Sequence, residues 1–166
     1  MFVITGVTGH TGSVAATTLL AAGKPVRVVV RDAAKGEAWK AKGAEVAIAE
    51  IGDRAAFAKA LTGATGAYIL MPPFAWTATG IPAERAKLVE AIAGAVADAK
   101  PGHVVLLSSV GADQPSGTGP VAYLHALETK LATTGVPSTF LRASSFMENW
   151  GSMLKGAIDG GALYYG

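Results

Sequence analysis

No cysteine occurs among the 166 residues. Disulfides, thiolate catalysis and cysteine-ligated zinc are therefore excluded, and no metal site is expected. The absence is compatible with the cytoplasm, the expected location. Charge is also scarce, at 16% of residues with a net value of +2. Lys and Arg are spread along the chain and form no basic stripe, so nucleic acid is not an expected partner. No apolar run is long enough to span a bilayer. The start, Met1-Phe2-Val3-Ile4-Thr5-Gly6, lacks a charged n-region and reads as a strand rather than a signal peptide. Internal repeats, low-complexity segments and linkers are missing as well.

What remains is a chain rich in apolar residues, 51% of the total, which is enough to build the core of one domain. Short apolar runs alternate with helical patterns. Strands are expected at residues 2–5, 26–31, 44–49, 67–71, 103–108 and 138–142. Helices are expected at 13–22, 34–42, 54–61, 82–99 and 120–134, several of them closed by glycine. Unbroken apolar strands suit a parallel sheet covered on both faces. The expected fold is α/β, a doubly wound parallel sheet of the Rossmann type with strand order 3-2-1-4-5-6.

The turn after the first strand reads Gly6-Val7-Thr8-Gly9-His10-Thr11-Gly12. Glycine there lets the backbone turn sharply and lets a pyrophosphate approach without a Cβ in the way. The N–H groups opening the next helix then face the phosphates. A glycine turn alone also serves purely conformational needs. Its place between a strand and a helix, at the head of a repeating pattern, points to a dinucleotide. Arg31-Asp32 stands where such folds read the adenosine ribose. An arginine offers forked donors to the extra phosphate of NADP, and this favours NADP(H) over NAD(H). Asp32 either meets the ribose or caps the following helix.

The catalytic pair Tyr-x-x-x-Lys is absent: four residues after Tyr123 stands Leu127. On the helix at 120–134, Leu124, Leu127 and Leu131 are expected to form the buried stripe. Tyr123 and Lys130 fall about two turns apart on one flank. The catalytic candidates are Ser108, His125 and Lys130. His125 is either an acid–base group or a polar residue at a helix edge, Lys130 either a catalytic or a solvated cation, and Ser108 either a substrate contact or a strand end. Glu128 is expected to be a structural partner. Among aromatics, Trp39 is expected to pack on its helix. Phe74, Trp76, Phe146 and Trp150 either stack on a flat substrate or anchor their loops. Tyr164-Tyr165 would cover a sheet edge or an oligomer contact.

These segments together resemble the NmrA-like atypical short-chain dehydrogenase/reductases, including bacterial NADPH-dependent quinone reductases. The resemblance rests on the segment from Ile4 to Gly12, on Val30-Arg31-Asp32, and on Glu50-Ile51-Gly52-Asp53. It continues through Leu107-Ser108-Ser109-Val110-Gly111-Ala112-Asp113, Glu128 with Gly135, Leu141-Arg142, and Ser145-Phe146-Met147-Glu148-Asn149-Trp150. It implies that Gly6, Thr8, Gly9, His10, Thr11 and Gly12 cradle the pyrophosphate and that Arg31 meets the 2′-phosphate. Glu50 and Ile51 would line the adenine pocket. Met71, Pro72, Pro73 and Ser108 would flank the nicotinamide. The loop at 144–149, with Ser144, Ser145, Phe146 and Asn149, would cover it. The implied function is NADPH-dependent hydride transfer to a quinone or similar flat small-molecule acceptor. The alternative is a non-catalytic NAD(P)-sensing protein. Epimerase-like and methyltransferase-like chemistry is the third choice, against which Arg31 and the segment from Phe146 to Trp150 argue by resemblance. The expected division is an NAD(P)-binding Rossmann domain at 1–142 and the start of an incomplete substrate-side region at 143–166. Family members usually carry more chain after this point. The chain is therefore expected to be either a fragment or a short form whose substrate pocket comes from elsewhere, through a homo-oligomer or a partner subunit.

Overall fold

The computed structural model describes residues 1–73 and 81–161. Six strands alternate with six helices. They are β1 (Phe2–Ile4), α1 (His10–Ala21), β2 (Val26–Val30), α2 (Ala33–Ala41), β3 (Glu45–Ile48) and α3 (Arg54–Leu61). Then come β4 (Gly66–Leu70), α4 (Ile81–Ala99), β5 (Val104–Ser109), α5 (Val121–Ala132), β6 (Ser138–Ala143) and α6 (Met147–Gly160). All strand pairs are parallel, in the order β3-β2-β1-β4-β5-β6. This is the doubly wound sheet expected from the sequence.

The unbroken apolar strands have a direct explanation, because successive side chains enter opposite layers. Val3, Val29, Ala67, Ile69, Val104 and Leu106 join the core under α3, α4 and α5, with Phe57, Leu61, Ile92, Val96, Leu127 and Leu131. Ile4, Val26, Val28 and Val30 join the second core under α1 and α2, with Ala16 and Trp39. Trp39 therefore packs as expected. Each fully buried aliphatic side chain stabilises the fold by about 2 kcal/mol. Two helix starts, those of α2 and α3, follow the capping rule. The Asp32 carboxylate accepts from Ala34 N–H at 2.9 Å, and that of Asp53 from Ala56 N–H at 3.0 Å.

Two elements differ from expectation. Helix α1 begins at His10 rather than at residue 13, because Gly12 belongs to its first turn. Gly12 was expected as the last glycine of the turn, but close packing requires it inside the helix, as described below. The second difference is α6, expected as a loop through 149. Its stripe of Met147, Trp150, Leu154 and Ile158 recurs at helical spacing, and Met147, Leu154 and Ile158 are more than half exposed. No helix among the described residues is long and apolar enough to cross a membrane. No group of three or more metal-ligating side chains occurs among them either.

Candidate functional site

β1, β2, β4 and β5 all run in one direction, so their carboxyl ends share one rim of the sheet. The order reverses between β1 and β4, where the chain leaves the sheet in opposite directions and opens a crevice. A cleft of about 470 Å³ lies there. Its floor is the turn Thr5-Gly6-Val7-Thr8-Gly9. One wall holds Arg31, Lys35, Glu50 and Ile51, and the other Leu70, Pro72, Pro73, Leu107 and Phe146.

Physical chemistry fixes the floor. Thr5 is buried, and its Oγ1 donates to the Tyr68 carbonyl at 3.2 Å and accepts from Leu70 N–H at 3.1 Å. This ties the turn to β4. Gly6 has φ +67°, a left-handed conformation that other residues adopt at a cost. Gly9 caps α1 with no side-chain hydrogen bond. The first N–H groups of α1 have no acceptor within the helix and sit at its positive end. Gly12 does not line the cleft. A Cβ there would lie 2.5 Å from the Gly6 carbonyl and the Thr5 oxygen, so it lets α1 press on the turn beneath the floor. Thr8, Gly9 and Thr11 line the cleft itself, whereas His10 and Thr11 border a second cavity of about 180 Å³ with Phe146, Glu148 and Asn149.

The rim at β2 is cationic. Arg31 and Lys35 both line the cleft. Neither pairs with a carboxylate among the described residues. Lys35 was missed from the sequence, although it stands only four positions after Arg31. Asp32 caps α2, its carboxylate accepting from Ala34 N–H, and is not among the residues lining the cleft. At the other rim, Pro72 and Pro73 line the cleft, but Met71 is partly buried and packs against the core under α3 and α4. Leu70 and Leu107 take wall positions that the sequence reading did not assign. Ser144 and Ser145 are exposed and line neither cavity, and Asn149 lies in α6 rather than in a loop. The side chains of Phe74 and Trp76, like those of Tyr164 and Tyr165, lie outside the described residues.

The three catalytic candidates are not brought together at the cleft. Strand alternation sends Leu107 to the cleft and Ser108 to the opposite face, toward α5. There Ser108 is 4% exposed and its Oγ donates to Glu128 Oε1 at 2.5 Å. Arg142, the β6 partner of Ser108, donates to both Glu128 oxygens at 3.1 and 2.6 Å. These hydrogen bonds and the nearby carboxylate raise the Arg142 guanidinium above its ordinary range. The expected apolar stripe of α5 is thus corrected: Leu127 and Leu131 are fully buried, Leu124 is half-buried, and the charged Glu128 shares the buried face. Glu128→Ala is expected to lower unfolding stability by about 2–3 kcal/mol, because Ser108 and Arg142 lose their shared acceptor. Urea unfolding with an unchanged midpoint would contradict this.

His125 Nδ1 lies 2.9 Å from the Ala112 carbonyl oxygen. That oxygen only accepts, so Nδ1 is the donor of this contact. Lys130 Nζ forms an exposed ion pair with Glu90 at 2.7 Å, on the outer side of α5.

Comparison with known proteins agrees with this geometry. The model of the NmrA-like family matches residues 1–162. A (4-alkanoyl-5-oxo-2,5-dihydrofuran-3-yl)methyl phosphate reductase of Streptomyces griseus is 31% identical over 98% of this chain and 54% of its own. An NAD(P)H azoreductase of Xenophilus azovorans is 25% identical over 90% of this chain and 49% of its own. Among solved structures, an NADPH-dependent quinone oxidoreductase of Escherichia coli, complexed with NADPH, superposes with a TM-score of 0.80 at 28% identity. That match covers 97% of this chain and 55% of the other. The chain spans about half the length of the curated relatives it matches. A glycine turn at the crevice of a 3-2-1-4-5-6 sheet, together with a family match over nearly every residue, makes this chain a member of the NmrA-like family.

Proposed function

We propose that the cleft binds NADP(H) and that the chain supplies the cofactor half of a reductase acting on a quinone or similar flat acceptor. The observation that carries this is one cleft with two cations at one end that pair with no carboxylate among the described residues, helix N–H groups in the middle and an apolar wall at the other. The residues fit a dinucleotide of that polarity. Arg31 and Lys35 would take the 2′-phosphate, Glu50 and Ile51 the adenosine, and Thr8, Gly9, Thr11 and the start of α1 the pyrophosphate. His10 and Asn149 would border the phosphates from the second cavity. Pro72, Pro73, Leu107 and Phe146 would hold the nicotinamide in a water-poor setting. When bound, the cofactor supplies the hydride, and the protein positions it.

Named relatives support the reductase class: the Streptomyces griseus and Xenophilus azovorans proteins are reductases, and the Escherichia coli neighbour is NADPH-dependent. A quinone accepts hydride as a stabilised hydroquinone anion and needs no adjacent protein acid. This suits a site in which Ser108 is committed to Glu128 and Lys130 to Glu90. His125 is held through Nδ1 by the Ala112 carbonyl and lines neither cavity.

NADPH oxidation by the purified protein against a panel of quinones and azo dyes is expected to show turnover above the cofactor-only rate. Saturable NADPH binding with no turnover of any acceptor would instead favour a sensing protein whose cofactor occupancy biases a partner.

A further inference from the structure

We propose that Arg85 of α4 is a positioning residue that locks the nicotinamide end of the cleft by holding the carbonyl of Pro72. This deepens the proposed function and rests on it. Strand β4 ends at Leu70, and the wall then continues through Met71, Pro72 and Pro73. Two consecutive prolines have no N–H to donate, so this stretch cannot extend the ladder with its neighbours. Met71 packs against the core, while Pro72 and Pro73 face the cleft. Across from them, Arg85 Nη1 donates to the Pro72 carbonyl at 2.6 Å.

Arg85 is only 7% exposed and does not line the cleft. A buried guanidinium is costly to desolvate and is kept where its hydrogen bonds are strong. A charge-assisted bond at this distance removes the freedom that the prolines would otherwise leave to the wall. The adenosine end takes its lining from the ends of β2 and β3 and from α2, whereas the Arg85 hydrogen bond is to Pro72 on the other wall. Arg85 therefore governs one half of the cleft and not the other, and a residue serving only general stability would not separate them.

The test compares NADPH with adenosine 2′,5′-bisphosphate, which carries the adenosine half and no nicotinamide. Both are titrated against the full chain and against Arg85→Met and Arg85→Lys. Arg85→Met is expected to raise the NADPH dissociation constant about 10-fold while leaving the bisphosphate within about 2-fold. Arg85→Lys, which keeps a charged donor, is expected to recover part of the loss and carries the same comparison should Arg85→Met fail to fold. Unchanged NADPH affinity, or parallel loss of both ligands, would overturn the assignment. Failure of the unmutated chain to bind either ligand would overturn the cofactor site itself, a result distinct from both.

Discussion

Arg31→Ala is expected to raise the dissociation constant for NADPH about 10- to 100-fold and to leave that for NADH within about 3-fold. The guanidinium is exposed at the rim, lines the cleft and pairs with no carboxylate among the described residues. Its charge is therefore available to a phosphate, and a charge-assisted contact contributes about 1.5–3 kcal/mol. Lys35→Ala is expected to act in the same direction with a smaller effect, about 3- to 10-fold, because a lysine makes no forked contact. Both effects should shrink with rising salt, since the rim is open to solvent. Parallel fluorescence titrations with the two cofactors check this. An equal loss for NADPH and NADH would remove the 2′-phosphate from the account.

Gly12→Ala and Gly9→Ala are expected to fail in different ways. A Cβ at residue 12 would lie 2.5 Å from backbone atoms of Thr5 and Gly6, and backbone has no rotamer with which to yield. Helix α1 must then lift from β1, at a cost of about 3 kcal/mol or more, and cofactor binding should be lost with the turn. A Cβ at residue 9 would meet the Gly6 carbonyl at 3.5 Å, an ordinary contact, and Gly9 has φ −108°, open to any residue. Gly9→Ala should keep its unfolding midpoint close to that of the parent while weakening NADPH about 10-fold, because the methyl group intrudes where phosphate approaches. Chemical denaturation and titration of both variants separate the two roles. A Gly12→Ala protein as stable as the parent would show that the close approach of α1 is dispensable.

The sheet was legible in the sequence because its inner strands β1, β2, β4 and β5 are covered on both faces, while the edge strands β3 and β6 are partly exposed. Runs such as Val26 to Val30 have one meaning in a chain that also shows helix stops at regular spacing. The glycine turn and Arg31 were legible for a related reason: their chemistry is local, carried by adjacent residues. Features that depend on which way a side chain turns were harder to read. Ser108 and Leu107 are neighbours, and only the register of β5 sends one to Glu128 and the other to the cleft. The same alternation puts Met71 against the core and Pro72 at the wall. Glu128 carried a further signal, since a charged residue in the register of Leu127 and Leu131 needs a partner. Its partner Arg142 stands on another element 14 residues away. Helix α6 was hidden by Gly151 and Gly156, which weaken helical propensity, even though Met147, Trp150, Leu154 and Ile158 keep its period. Arg85 was invisible because nothing in its own helix announces a carbonyl 13 residues earlier.

The central claim, that this cleft holds a nicotinamide dinucleotide, is tested most directly by titrating the isotope-labelled chain with NADPH and following its backbone amide signals. The changes are expected to concentrate at Gly6, Thr8, Gly9, Thr11 and Gly12, at Arg31 and Lys35, and at Ile51, saturating at one cofactor per chain. Amides that stay unmoved throughout the titration, or that move only along β6 and α6, would contradict the assignment of the glycine turn to a pyrophosphate.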